Sequence, residues 1–283
     1  MWRRRVPLRA MALRLDSRVR LRHGNEMPVL GLGVWQARGK ACAAAVRSAL
    51  NLGYRLIDTA SMYGNEKEVG ESIRASRVPR DEVFVTTKVW NDEQGYGPTL
   101  GACEASLRRL RMDYVDLYLV HWPVPEKRLE TWRAMERLQK GGKVRAVGVS
   151  NYMVHHLEEL KDSLVKPAVN QIELHPFLHP VDVTEYCAAH GIVVEAYSPL
   201  ARGRKLKDPT VAGIAAKHGK TPAQVLIRWG LQHGFVEIPK SVRPERIREN
   251  VDVFDFTLNA TQMKALAALN QGLHVTWDPT NAP

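Results

Sequence analysis

Cysteine is scarce in this chain of 283 residues, with only Cys42, Cys103 and Cys187, all far apart. That excludes a disulfide-stapled scaffold and a cysteine-based metal site, and it favours a reducing compartment. The cytoplasm is the expected location. No run reaches the roughly 18 consecutive apolar residues that a membrane helix needs, so no membrane span is expected. Nucleotide fingerprints are also missing. Gly31-Leu32-Gly33-Val34-Trp35-Gln36 lacks the third glycine of a dinucleotide loop. The stretch Gly213 to Thr221 has one residue too many between its glycines for a phosphate loop. Gly148-Val149-Ser150-Asn151-Tyr152 places tyrosine where a nucleophile elbow needs glycine. His155 and His156 are adjacent, so their rings are expected to point apart. No metal site is expected.

The hydrophobic fraction is 45% and the charged fraction 25%, ordinary for a soluble globular protein and too apolar for a disordered one. The formal net charge is +11, but it is unevenly spread. Residues 1–22 hold eight arginines against one acid, Asp16. The remainder carries only +4, so no nucleic-acid partner is expected. Residues 1–18 read as an Arg-rich arm, expected to be disordered. Within it, residues 1–15 have the basic, acid-poor composition of a mitochondrial transit peptide. A targeting arm and an inert extension both stay open.

From residue 29 a pattern repeats. Short apolar runs rich in β-branched residues occupy 29–34, 55–59, 83–89, 115–121, 144–150, 168–173, 192–198 and 235–239. Between them lie stretches of helical period, the longest over 209–232. The runs are nearly continuous, as in strands covered on both faces. Eight strand–helix units in about 250 residues predict a (β/α)8 TIM barrel, with a doubly wound sheet as runner-up. Residues 19–283 fit one such domain. Residues 19–29, with Gly24-Asn25 at the turn, predict an N-terminal β-hairpin plugging the barrel bottom. Residues 261–269 predict an extra C-terminal helix.

In a barrel the C-terminal strand ends share one rim, where active sites lie. Asp58, Lys88 and His121 fall at the ends of the second, third and fourth strands, and Tyr63 on the loop after the second. A lysine ammonium favours a phenolate and should lower the pKa of Tyr63 from about 10. Asp58 would hold Lys88 charged, and a neutral His121 could orient a carbonyl oxygen. Tyr63 then reads as a general acid. The set supplies no nucleophile for carbon, so a hydride-donating cofactor is expected. Trp35, Trp90 and Trp122 follow strands on the same rim and would wall in a small carbonyl substrate together with His121. Lys240, Arg243 and Arg246 gather after the last strand, where Pro244 opens a helix. Barrels hold phosphate there, and three cations suit a 2′-phosphate, so NADPH is expected over NADH. Ser150, Asn151 and Gln171 could bond a carboxamide, and Tyr197 could stack on a nicotinamide ring.

These stretches resemble the aldo-keto reductase superfamily, in detail its bacterial-type glyoxal and 2,5-diketogluconate reductases. The matching segments are Gly53 to Glu66, Thr87-Lys-Val-Trp90, Asp116 to Pro123, Gly148-Val-Ser-Asn151, Asn170 to Pro176, Tyr197-Ser-Pro-Leu200 and Ile238 to Asn250, in family order. The resemblance implies a TIM barrel, NADPH and a catalytic tetrad of Asp58, Tyr63, Lys88 and His121. It implies that Ser150, Asn151 and Gln171 hold the carboxamide, that Tyr197 stacks, and that Ser198 and Leu200 line the pyrophosphate. Lys240, Ser241, Val242, Arg243, Arg246, Glu249 and Asn250 would hold the 2′-phosphate end. Leu56 replaces a histidine common in the family, and the loop over 123–130 and the C-terminal tail are short, which argues against a long steroid-type cleft. The expected activity is NADPH-dependent reduction of aldehydes and reactive ketones, methylglyoxal among them, by a monomer. The alternatives are a cofactor-binding regulatory protein without turnover, and a Schiff-base lyase through Lys88.

Overall fold

The computed structural model describes residues 13–283. It opens with β1 (Arg18–Arg20) paired antiparallel to β2 (Glu26–Pro28) across a 3-10 turn over Arg22–Gly24. Gly24 closes that turn at φ +101°, a backbone region that favours glycine. Leu21 and Met27, both buried, join a cluster with Leu56, Phe84, Leu117, Ala146, Val169 and Val236. The hairpin therefore plugs the barrel interior from the strands' N-terminal side, as its sequence predicts.

Strands and helices then alternate: β3 (Leu32–Gly33), α1 (Gly39–Asn51), β4 (Leu56–Asp58), α2 (Glu66–Ala75), β5 (Phe84–Val89), α3 (Tyr96–Leu110), β6 (Val115–Val120) and α4 (Arg128–Lys140). There follow β7 (Val144–Ser150), α5 (Val154–Glu158), β8 (Val169–Glu173), α6 (Val181–Ala189), β9 (Val193–Tyr197), α7 (Pro209–His218), α8 (Pro222–His233), β10 (Val236–Glu237), α9 (Pro244–Val251) and α10 (Ala260–Ala267). All eight expected strand runs contain a strand. β3 to β10 form one parallel sheet in sequence order. Parallel bridges Leu30–Glu237 and Gly33–Lys240 join its two ends. The N–H of Gly31 donates to the Glu237 carbonyl at 2.8 Å, and that of Gly33 to the Pro239 carbonyl at 3.3 Å. The sheet closes on itself, which removes the doubly wound alternative, a fold with open edges. Close approach at the seam needs a bare Cα: a Cβ on Gly33 would stand 2.9 Å from the Ile238 carbonyl oxygen. A second apolar layer packs between strands and helices, with Trp132 and Trp229 each 1% exposed.

Two expectations need correction. The block over 209–232 is two helices. Gly219 ends α7 in the left-handed region at φ +62°. Thr221 then caps α8, its hydroxyl accepting from Gln224 N–H while the Gln224 side chain accepts from Thr221 N–H. Residues 13–18, read from sequence as the end of the arm, are ordered. Leu13 is 6% exposed within the core, the Ser17 N–H closes a turn on the Arg14 carbonyl, and Arg18 already begins β1. Apolar anchoring by Leu13 and Leu15 outweighs the surrounding arginines. The transit-peptide reading lies almost wholly on residues 1–12, outside the described residues. Among the described residues no helix is long and apolar enough to cross a membrane.

Candidate active site

β4, β5 and β6 lie side by side and end at one rim. Asp58 is the last residue of β4, Lys88 lies near the end of β5, and His121 follows β6. Tyr63 closes a 3-10 turn over Ser61–Tyr63 just above Asp58. The structure brings the four together. Lys88 is fully buried, and its Nζ donates to Asp58 Oδ1 at 2.7 Å, the Thr59 carbonyl at 3.0 Å and Tyr63 OH at 3.3 Å. The Tyr63 and His121 rings meet edge to face at 5.6 Å.

Burial alone would push Lys88 down, but Asp58, Tyr63 and Glu195 overrule it, and the ammonium is held above its usual value. Burial, then the Lys88 charge, hold His121 well below its usual value, so its imidazole is neutral near pH 7. Its Nδ1 has no hydrogen-bond partner among the described residues. The expectation for Tyr63 is corrected in sign. Burial raises the phenol above its usual value, and the opposing pull of Lys88 is smaller. Tyr63 therefore keeps its proton across neutral pH, the state an acid needs.

A cleft opens over these groups, lined also by Ser150, Asn151, Gln171, Tyr197, Ser198 and Lys240. Asn151 ties its walls together: its amide donates to the His121 carbonyl at 3.0 Å, and its oxygen accepts from Tyr197 OH at 2.7 Å. Asn151 and Ser198 sit at φ +64° and +51°, strained values for residues with a Cβ. Lys240 follows β10, and burial lowers its pKa. Leu200, Ser241, Val242, Arg243, Arg246, Glu249 and Asn250 do not line this cleft. Arg243 caps the start of α9, its N–H donating to Ser241 Oγ at 3.1 Å, and Arg243 and Arg246 are exposed. Glu249 accepts from Thr221 Oγ1 at 2.6 Å, and Asn250 is buried.

Of the expected aromatic wall, Trp35 lines the cleft. Trp90 meets His121 at 4.9 Å, and Trp90 and Trp122 stand 5.9 and 6.2 Å from Trp277. Sequence reasoning missed Thr276 and Trp277, which bring the C-terminal tail onto the rim. Glu173, at the end of β8, holds that tail. Its carboxylate accepts from the N–H of Val275 at 2.8 Å, the N–H of Thr276 at 3.0 Å and the Thr276 hydroxyl. Arg202, also missed, packs over Trp35 at 4.6 Å and donates to the Val275 carbonyl at 3.1 Å. Away from the site, His155 and His156 do not point apart. Their rings are 3.8 Å apart, and both reach the Ala282 carbonyl. Among the described residues no three His, Cys, Asp or Glu groups gather as a metal site would need.

Comparison with known proteins gives the family of the chain. The aldo/keto reductase family profile matches residues 29–271. Glyoxal reductase of Bacillus subtilis is 51% identical over 271 residues, covering 95% of this chain and 98% of that protein. The 9,11-endoperoxide prostaglandin H2 reductase of Trypanosoma cruzi is 50% identical over 268 residues, covering 93% and 95%. Among solved structures, the aldo-keto reductase MGS-M4 from a deep-sea metagenome library superposes with a TM-score of 0.91 at 46% identity, covering 94% of this chain and 99% of that one. A variant of Gox0644 in complex with NADPH superposes with a TM-score of 0.89 at 44% identity, covering 94% and 98%. Family profile, near full-length relatives and barrel geometry agree, and the chain belongs to the aldo/keto reductase family.

Proposed function

We propose that this protein reduces aldehydes and reactive ketones, dicarbonyls such as methylglyoxal among them, with NADPH as the cofactor. The observation that carries the reading is the buried Lys88 ammonium shared between Asp58 Oδ1 and Tyr63 OH. The relative named glyoxal reductase supports the substrate class, and the NADPH complex of Gox0644 supports the cofactor.

The residues present fit that cofactor. Ser150, Asn151 and Gln171 offer a hydroxyl and two amides on one side of the cleft, and the Tyr197 ring lines it beside them. Ser198 and Leu200 follow on the same loop and would face the pyrophosphate. Lys240 also lines the cleft, and the exposed Arg243 and Arg246 flank the start of α9, a favourable place for the 2′-phosphate. Ser241, Val242, Glu249 and Asn250 would complete that end, with Glu249 keeping its bond to Thr221.

Bound NADPH supplies the hydride that the carbonyl carbon takes up. His121, neutral and lining the cleft, orients the carbonyl oxygen. Tyr63 gives that oxygen its proton, so the carbonyl becomes an alcohol. The Lys88 ammonium compensates the phenolate left behind, and Asp58 holds Lys88 at 2.7 Å through the cycle. Trp35, Trp90 and Trp122 exclude water around the reacting carbon. The test is NADPH oxidation with methylglyoxal and nitrobenzaldehyde. Steady turnover is expected. Tight NADPH binding without turnover of any carbonyl would instead mark a cofactor-sensing protein.

A further inference from the structure

Behind the four tetrad residues lies a carboxyl group that the reduction chemistry does not use. Glu195 sits in the middle of β9 and is fully buried. The Nε2 of Gln171 donates to Glu195 Oε2 at 2.8 Å and to Asp58 Oδ2 at 2.8 Å. Asp58 passes its other oxygen to Lys88, which reaches Tyr63. One amide thus ties β9 and β8 to the catalytic ends of β4 and β5. Glu195 Oε1 has no hydrogen-bond partner among the described residues.

The groups that face Glu195 are Asp58 from β4, Lys88 from β5, Gln171 from β8 and, above Lys88, Tyr63. On the other side β10 sets apolar Val236 beside it, and Glu237 turns away toward Gly230 of α8. Among the described residues the one cation that acts on it, Lys88, is already bonded to Asp58. A second ionised carboxylate there would be buried without a partner. Burial, then the Asp58 charge, push Glu195 up to about 8, so it holds its proton near neutral pH. A glutamine amide has two N–H bonds. Both are taken here by carboxyl oxygens. What Gln171 has left for a ligand in the cleft is its oxygen, an acceptor.

We propose that Glu195 is a positioning residue: by accepting one N–H of Gln171 it fixes that amide with its oxygen free to accept from the cofactor's carboxamide, and it steadies Asp58 beneath Lys88. This inference rests on the proposed function, since it needs a nicotinamide in the cleft. Without the acceptor on β9, the Gln171 amide is held by Asp58 alone and its second buried N–H is left without a partner, so its oxygen is less firmly aimed at the cleft.

The test titrates NADPH and adenosine 2′,5′-bisphosphate against tryptophan fluorescence in the wild type, Glu195→Leu and Glu195→Gln. The bisphosphate carries the phosphate end without the nicotinamide. Glu195→Leu is expected to weaken NADPH about fivefold, the worth of one neutral hydrogen bond, and to leave bisphosphate affinity unchanged. Glu195→Gln can present its own amide oxygen to Gln171 and is expected to restore NADPH affinity. Unchanged NADPH affinity in Glu195→Leu, equal loss for both ligands, or no restoration by Glu195→Gln overturns the inference. Failure of the wild type to bind NADPH overturns the cofactor reading itself, a separate outcome. If Glu195→Leu does not fold, Glu195→Ala takes its place in the same titrations, with the same loss expected for NADPH and none for the bisphosphate; equal affinity for NADPH in this variant and the wild type overturns the inference.

Discussion

Replacing Lys88 by methionine keeps the length of the side chain and removes its charge. The Lys88 side chain is 0% exposed and that of Asp58 4%, with Nζ and Oδ1 2.7 Å apart. Lys88→Met therefore leaves a buried carboxylate facing an apolar thioether. Removing one partner of a buried ion pair costs about 3–5 kcal/mol. At about 2–4 °C per kcal/mol for a chain this long, the melting temperature should fall by roughly 10 °C. Asp58 keeps its Gln171 bond, which caps the loss. The assay is scanning calorimetry at pH 7 on the wild type, Lys88→Met, Asp58→Asn and the double variant. The double variant should recover most of the stability, because no charge is stranded, while carbonyl reduction stays lost in all three. A melting temperature for Lys88→Met equal to that of the wild type would refute the reasoning. So would two single losses that simply add in the double variant.

Glu173→Ala removes three acceptor bonds to the tail, so amide exchange at Val275 and Thr276 should speed up by about tenfold or more; unchanged exchange would mean that other contacts hold the tail. Burial holds the Glu237 carboxyl well above its usual value, so the folded protein keeps a proton that the unfolded chain loses above about pH 4.3. That contribution is full below this pH and declines as pH rises. Relative to the wild type, Glu237→Gln should gain stability as pH rises above about 4.3, measured by urea unfolding, and parallel curves would contradict it. Cys42, Cys103 and Cys187 are buried and each is pushed up to about 12, so a thiol reagent should label none in the native protein and all three after denaturation.

Much of the fold was legible because a parallel barrel writes its strands as nearly continuous apolar runs. Closure was read from the count of eight strand–helix units; the backbone bonds of Gly31 and Gly33 that make the seam carry no side-chain signature of their own. The split of 209–232 was marked by Gly219 and Thr221, but helical period on both sides masked it. At the site, Asp58, Lys88 and His121 stood out as polar residues ending apolar strands. Glu195 and Glu237 carried a similar signal, a charge inside a buried strand, and were passed over because they precede the rim. Thr276 and Trp277 are local to nothing in sequence. The Glu173 carboxylate, about a hundred residues earlier, brings them to the cleft together with Arg202, Tyr197 and the rings of Trp90 and Trp122. The sign of the Tyr63 shift was misread because proximity to Lys88 can be inferred from strand order, whereas the depth of burial that outweighs it cannot.

The central claim is that Tyr63 supplies the proton. Tyr63→Phe keeps the ring that meets His121 at 5.6 Å and removes only the hydroxyl. The measurement is the rate of methylglyoxal reduction by this variant, with NADPH affinity followed on the same sample. Affinity should be retained and turnover should fall about 100-fold or more, the usual worth of a positioned general acid. Turnover equal to that of the wild type, with NADPH bound, would contradict the account.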